Sequence, residues 1–405
     1  MMLTPSENYA RAKTISKFPK TRKFSESFPF ELDDFQIQAC HALEQGKGVL
    51  VAAPTGAGKT IVGEFAVDLV INSSGKCFYT TPIKALSNQK YSELCQKYGE
   101  DRIGLLTGDV SNNSEAQIVV MTTEVLRNMI YSNSPTISDL KYVVMDEVHY
   151  LADKFRGAVW EEILIHLSEA VQVISLSATV SNAEEFGEWL GEVRGETEVI
   201  VSEIRPIPLF QHVLIGNRLL DLFDAPGRVN PEVLNREREM TRRAALGRNR
   251  RGRFAEPSDR LSRADIIDKL HGENLLPAIT FIFSRIGCDA AVKQCLQAGL
   301  RLTSTEEREE IKRTALRYTQ NIAEEDLEVL NFKEWLTALE RGIAAHHAGL
   351  LPSFKGAVED LFQRGLVKAV FATETLALGI NMPARTVVLE KLIKFNGEAH
   401  VPITP

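Results

Sequence analysis

Short runs rich in Val and Ile alternate with stretches of helical period along most of this chain. Between residues 28 and 205 the runs are Gly48–Ala52, Lys76–Thr80, Arg102–Leu106, Gln117–Met121, Tyr142–Met145, Val171–Leu176 and Glu198–Val201. Strands that alternate with helices imply a parallel sheet covered by helices on both faces. Residues 278–284, 342–346, 367–372 and 386–390 repeat the rhythm in a second zone. Between the zones, over 206–275, the pattern weakens and arginine accumulates. Residues 1–27 are polar, with Lys13, Lys17, Lys20, Arg22 and Lys23 among Ser and Thr. The expectation is an α/β protein with a flexible arm over 1–27, a first domain over 28–205, an Arg-rich interdomain segment over 206–275 and a second domain over 276–405.

Composition narrows this little. The 405 residues suffice for two or three domains with cores of their own. Apolar residues make up 44% and charged residues 25%, as in ordinary soluble proteins. Cys40, Cys77, Cys95, Cys288 and Cys295 form no CxxC pair, which argues for a reducing compartment and against a zinc site. No apolar run reaches membrane-spanning length, so the expectation is a cytoplasmic protein with no membrane partner. The net charge is −7, so any nucleic-acid site has to be a local feature.

The chemistry starts at Ala53-Pro54-Thr55-Gly56-Ala57-Gly58-Lys59-Thr60, between the strand-like run Gly48–Ala52 and a helical run from Ile61 to Ile71. Strand, Gly-rich loop, Lys-Thr and helix form a nucleotide phosphate cradle, with backbone N–H groups converging on an anion at a helix N-terminus. Lys59 reaches the β- and γ-phosphates, and Thr60 can hold Mg²⁺. The strict pattern asks for Gly where Ala53 stands; the bland alternative is a Gly-rich turn before a core helix. A second constellation, Asp146-Glu147-Val148-His149, follows the apolar run from Leu140 to Met145. Two carboxylates then stand at the carboxyl edge of the sheet, where open α/β sheets bind ligands. Asp146 suits Mg²⁺, and Glu147 suits a water aimed at the γ-phosphate. The alternative is a helix N-cap with an acidic first turn.

Together with Ser177-Ala178-Thr179, these motifs resemble those of superfamily 2 DExH-box helicases, in particular the superkiller-type RNA helicases and their bacterial HelY-type relatives. The resemblance extends through FPFELDDFQIQA (28–39), TTPIKALSNQKY (80–91), LLTGDVSNN (105–113), MTTEVLRNMIY (121–131) and DEVHYLADKFRGAVWEEILIHL (146–167). It continues through SLSATVSNAEEFGEWL (175–190), AAHHAGLLP (344–352) and VFATETLALGINMPARTVV (370–388). It implies two tandem RecA-like domains, ATP and Mg²⁺ as cofactors, and single-stranded or partly duplex RNA as partner, with an RNA-degrading nuclease or exosome-like complex as a further one.

The resemblance also assigns roles. Phe30 and Gln36 correspond to an adenine-reading pair, and Pro54, Thr55, Gly56, Ala57, Gly58, Lys59 and Thr60 to the phosphate loop. Gly379 and Asn381 would face the nucleotide. Ser177, Thr179 and His149 would couple the ATP state to strand grip. Thr81, Pro82, Lys84, Gly108, Asp109, Thr122, Thr123 and Glu124 in the first domain, and Thr373 and Glu374 in the second, would hold the sugar–phosphate backbone without reading bases. Each of these threonines is also a plausible helix N-cap.

Arg236, Arg238, Arg242, Arg243, Arg248, Arg250, Arg251, Arg253, Arg260 and Arg263 form a segment that is either an RNA-contacting arm or a solvated linker. The family's arginine-finger motif, QxxGRxGR, has no match up to Pro405. The expectation is therefore a truncated second domain with an exposed sheet edge and weak ATP hydrolysis. The functional reading is the motor core of an ATP-dependent, 3′→5′ RNA helicase. A non-catalytic ATP- and RNA-binding fragment and a related DNA-repair helicase are the alternatives.

Overall fold

The computed structural model describes residues 17–152, 157–178, 182–225, 227–247, 261–376, 382–395 and 400–403. The chain divides into two compact units, residues 1–208 and 209–405.

Unit 1 is built on eight strands: β1 (Gly48–Ala52), β2 (Lys76–Thr81), β3 (Ile103–Leu106), β4 (Ser111–Asn112), β5 (Ile118–Thr122), β6 (Leu140–Met145), β7 (Gln172–Ser177) and β8 (Thr197–Val201). Their order in the sheet is β4-β3-β5-β2-β6-β7-β1-β8. All neighbours are parallel except β3 and β4. The carboxyl ends of β1, β2, β5, β6 and β7 therefore share one edge. The central strands are buried on both faces, which is why their sequences are continuous apolar runs rather than alternating ones.

One face of this sheet is covered by α1 (Pro19–Ser25), α2 (Asp34–Glu44), α3 (Thr60–Ile71) and α4 (Lys84–Tyr98), which supply Phe24, Phe35, Leu43, Val62, Phe65 and Leu94 to its core. The other face is covered by α5 (Thr123–Tyr131), α6 (Gly157–His166) and α7 (Ala183–Arg194), with Leu126, Trp160, Ile163, Leu164 and Leu190 buried. Helix α3 is apolar nearly all round because it lies wholly inside this layer.

The segment from residue 17 onward differs from the expected loose arm. Phe18 and Phe24 are buried, and the ring of Phe24 lies 5.1 Å from that of Phe65. The Glu44 carboxylate accepts hydrogen bonds from the Lys20 and Thr21 N–H groups and the Thr21 hydroxyl, at 2.8–2.9 Å, and so caps α1. Polar composition hides this helix because its two anchors are single rings and its cap is a distant Glu.

Unit 2 opens with two small antiparallel hairpins, β9 (His212–Ile215) with β10 (Arg218–Asp221) and β11 (Phe223–Ala225) with β12 (Arg228–Val229). Helices α8 (Pro231–Gly247) and α9 (Arg263–Gly272) follow. The supposed linker 206–275 is thus largely regular in its described part. Helix α9 puts Ala264, Ile267 and Leu270 into the core of unit 2. A parallel sheet comes next: β13 (Ala278–Phe281), β14 (Ile343–His346), β15 (Ala369–Ala372) and β16 (Thr386–Leu389), in the order β14-β15-β13-β16. It is flanked by α10 (Arg285–Gln297), α11 (Thr305–Thr319), α12 (Glu324–Val329), α13 (Phe332–Glu340) and α14 (Pro352–Gln363), and a last hairpin joins β17 (Ile393–Phe395) to β18 (His400–Pro402). Among the described residues β16 is an outer strand, with Val387 and Leu389 exposed. Both units are the α/β folds expected, each a largely parallel sheet flanked by helices. None of the five cysteines is paired; Cys40, Cys77, Cys288 and Cys295 are buried, and Cys95 on α4 is half-buried. Among the described residues no helix is long and apolar enough to cross a membrane.

Candidate functional site

The site grows from the end of β1. The chain leaves the sheet at Ala53, whose N–H donates to the Ser177 carbonyl at the end of neighbouring β7. It then turns through Gly56 and Gly58, with φ of +85° and +80°. That left-handed region suits glycine and forces the loop to curl over the N-terminus of α3. No acidic residue sits in the first turn of α3, so its positive end is free to meet an anion. The Lys59 ammonium is buried and donates to the carbonyls of Ala53 (2.8 Å) and Pro54 (3.2 Å). Burial pulls its pKa down, while Glu147 and Asp146 oppose the shift. Thr60 is partly exposed on the first turn beside it.

Gln36 ties this loop to α2. Its Oε1 accepts the Asp33 N–H at 2.9 Å, and its Nε2 donates to the carbonyls of Gly58 (3.1 Å) and Ala57 (3.4 Å). The fit is close, because a Cβ at Gly58 would stand 2.7 Å from Gln36 Nε2. Gln36 is buried and fastens the loop. Phe30, by contrast, is 54% exposed, with its ring open to stacking.

Strand β6 delivers Asp146 and Glu147 to the same edge. Both oxygens of Asp146 are held: Oδ2 accepts the Tyr79 hydroxyl at 3.0 Å, and Oδ1 accepts the Glu147 N–H at 2.9 Å. Burial, and then Glu147, push the Asp146 carboxyl up to about 6. Glu147 has φ +58°, a rare conformation for a side-chain-bearing residue and one that clusters at functional sites. Burial raises its pKa and Lys59 opposes that. Glu147 Oε2 and His149 Nδ1 are buried 3.3 Å apart, but they are not aligned as a hydrogen bond and have no other hydrogen-bond partner among the described residues. Burial, and then Lys59, lower the His149 pKa, which keeps the ring neutral. Ser177 ends β7 and is buried; Thr179 lies outside the described residues.

This donor set fits a nucleotide with a hard cation. The loop supplies backbone N–H groups and an ammonium, and Thr60 and Asp146 supply a hydroxyl and a carboxylate oxygen. Among the described residues no group of three or more His, Cys, Asp or Glu could hold a metal. A Mg²⁺ ion would therefore share its oxygens with phosphate and water, as that ion commonly does.

The loops assigned to strand binding meet at the same edge, but not every side chain faces outward. Thr81 and Thr123 are buried. The Thr81 hydroxyl donates to the Ile83 carbonyl at 3.0 Å and lies 2.8 Å from the Ser87 hydroxyl, while Thr123 Oγ1 donates to the Thr81 carbonyl at 3.1 Å. The Thr81 hydroxyl thus braces its own loop against the start of α4, and the Thr123 hydroxyl joins the loop after β5 to the end of β2, so both are already engaged inside the protein. Pro82 is also buried. Lys84, Gly108 and Asp109 are exposed, and Lys84 forms an ion pair with Asp109. Thr122 and Glu124 are partly exposed at the start of α5.

Unit 2 presents a comparable edge. Thr373 follows β15 and donates its N–H to the His346 carbonyl; Glu374 beside it is exposed. Gly379 and Asn381 lie outside the described residues. Sequence reading passed over the histidine pair at the end of β14. His346 Nε2 lies 2.8 Å from Glu359 on α14, and His347 Nε2 lies 3.0 Å from Asp289 on α10. His347 Nδ1 accepts the Gly349 N–H at 3.2 Å, which puts its proton on Nε2, toward Asp289. Of the arginine segment, Arg248, Arg250, Arg251, Arg253 and Arg260 lie outside the described residues. Arg238 and Arg242 are exposed on α8. Arg263 belongs to no arm, because its guanidinium grips both oxygens of Glu390.

The DEAD/DEAH box helicase family matches residues 33–186, which span the whole phosphate loop and both carboxylates. Over 405 aligned residues the chain is 60% identical to the probable helicase HelY of Mycobacterium tuberculosis, covering 96% of this chain and 44% of that protein. It is 40% identical to Superkiller complex protein 2 of Mus musculus, covering 93% of this chain and 31% of that protein. It is 38% identical to the exosome RNA helicase MTR4 of Homo sapiens, covering 94% and 37%. The chain thus spans less than half the length of these relatives. Phosphate loop, paired carboxylates and sequence kinship agree: residues 33–186 form a DEAD/DEAH box helicase domain, and the chain around it is similar to superkiller-type helicases.

Proposed function

We propose that this chain is the motor core of an ATP-dependent RNA helicase. The observation that carries the reading is the convergence, on one sheet edge, of the Lys59–Thr60 loop with Asp146 and Glu147. Bound Mg²⁺ would draw charge from the phosphates and fix their orientation. Lys59 would leave the Ala53 and Pro54 carbonyls for the β- and γ-phosphates. Glu147, held beside Asp146 by a strained backbone and made a stronger base by burial, would orient the attacking water and take its proton. Phe30 offers a face for adenine; Gln36 keeps one lone pair for its edge and would have to release a loop carbonyl to offer an N–H.

RNA as the substrate rests on kinship with proteins named as RNA helicases. The exposed Lys84, Gly108 and backbone N–H groups at the start of α5 suit sugar and phosphate, so binding should tolerate any sequence. Movement in the 3′→5′ direction and docking to an RNA-degrading complex in the cytoplasm extend the same kinship. Steady-state ATP hydrolysis with and without single-stranded RNA, and with single-stranded DNA as the competitor, tests the reading. Stimulation by RNA above that by DNA supports it, and equal stimulation favours the DNA-repair alternative.

A further inference from the structure

The Tyr79 hydroxyl belongs to no motif used above, yet it is the group that touches Asp146 from inside the sheet. The ring stands on β2 beside β6, paired in register with Val144, and is fully buried. Its hydroxyl donates to Asp146 Oδ2 at 3.0 Å. The ring lies against α3, the helix that begins at Thr60. Its neighbour there is Gly63, where an added Cβ would stand 3.0 Å from Tyr79 Cε2, 3.4 Å from the hydroxyl and 3.0 Å from Val144 Cγ1. Contacts that close mean that even a methyl at residue 63 would push the Tyr79 ring or Val144 aside by a few tenths of an ångström. On the remaining side, the Lys90 ammonium sits 5.5 Å from the ring centroid and is itself 3.7 Å from Glu64, on the same helix. Tyr79 therefore bridges the helix that carries Thr60 and the strand end that carries Asp146.

We infer that Tyr79 is a positioning residue for the metal site, fixing the Asp146 carboxylate relative to Thr60 through its hydroxyl and through ring contact with Gly63. The inference rests on the reading of Asp146 and Thr60 as metal-holding groups. A carboxylate pinned at both oxygens is turned toward the phosphate loop before any ion arrives. Partners of this kind set ligand orientation, and losing one typically lowers metal affinity or activity by about 10- to 100-fold.

The test uses the chain as it is, in complex with a non-hydrolysable ATP analogue, and measures free Mn²⁺ by electron paramagnetic resonance. Tyr79→Phe keeps the ring and removes one oxygen. It should weaken Mn²⁺ binding on the order of tenfold while leaving the melting temperature of the nucleotide-free chain close to the parent's. In hydrolysis it should lower kcat with little change in KM for ATP, and excess Mg²⁺ should restore part of the rate. Gly63→Ala moves the ring without removing the hydroxyl and should weaken Mn²⁺ in the same direction. It also serves as the decisive variant if Tyr79→Phe fails to fold. A parent that binds Mn²⁺ and variants that bind it equally well overturn the inference alone. A parent that binds none overturns the metal reading together with it. A variant that melts lower yet binds Mn²⁺ normally marks Tyr79 as a packing residue and overturns the positioning role.

Discussion

Lys59 is held by the two carbonyls it has to release when a phosphate arrives, so its charge is buried and poised at once. Lys59→Ala should abolish binding of a fluorescent ATP analogue, and unchanged affinity would remove the phosphate loop from the site. Glu147→Gln preserves shape and should leave binding nearly intact. Hydrolysis should fall by about 10²–10⁴, the usual worth of a general base. Asp146 carries a pH signature. Its folded-state carboxyl titrates at about 6, above the unfolded value of 3.8. The folded chain thus holds that proton more tightly, a contribution to stability that is complete below pH 3.8 and lost as pH rises through about 6. Without nucleotide or metal, Asp146→Asn should stabilise the chain above pH 6 relative to the parent, by on the order of 3 kcal/mol at most, seen as a higher melting temperature. The difference should vanish below pH 4, and a difference that did not change with pH would sink the argument.

Elements were legible in sequence where a fully buried strand produces a continuous apolar run. Gly48–Ala52, Ala369–Ala372 and the Val143–Met145 end of β6 are such stretches, and each ends at a chemistry-bearing residue. The carboxylates and the phosphate loop were legible for the same reason, since they directly follow those runs. What escaped was cooperation across long sequence separations. Tyr79 finds Asp146 only because β2 and β6 are neighbours, and strand order is not written in either segment. Thr81 and Thr123 likewise looked like strand contacts, yet the Thr81 hydroxyl is held by Ile83 and Ser87 and the Thr123 hydroxyl by the Thr81 carbonyl. Helix α1 escaped because its charged surface masks two buried rings. Phe24→Ala should cost unit 1 about 3–5 kcal/mol, as a large-to-small change against Phe65 does. A denaturant midpoint equal to the parent's would return this segment to the status of a loose arm.

At the scale of the whole chain, a net charge of −7 has to coexist with the proposed site for polyanions. Local placement resolves this, with Lys84 and helix N-termini gathered on the sheet edge. RNA affinity should fall with salt, and each phosphate contact removed should flatten the slope of log affinity against log salt by about 0.7. Helix α8 gives a sharp case. Arg236, Arg238 and Arg242 are offset on it by Glu232, Glu237 and Glu239. Replacing these three arginines by alanine should therefore change the slope by less than about 1, whereas three true contacts would change it by about 2. The larger change would make α8 part of the RNA path.

Thiol chemistry offers a way to watch the molecule work. Burial pushes the Cys40, Cys77, Cys288 and Cys295 thiols away from the reactive thiolate form, while Cys95 alone is partly open to solvent. A maleimide dye should attach there first, with no engineering of the sequence. Cys95 lies on the helix that begins at Lys84, roughly 16 Å along its axis from that lysine. A fluorophore at that distance is near enough to sense a nucleic-acid strand and far enough not to block it. One labelled cysteine would thus report strand arrival and departure in real time.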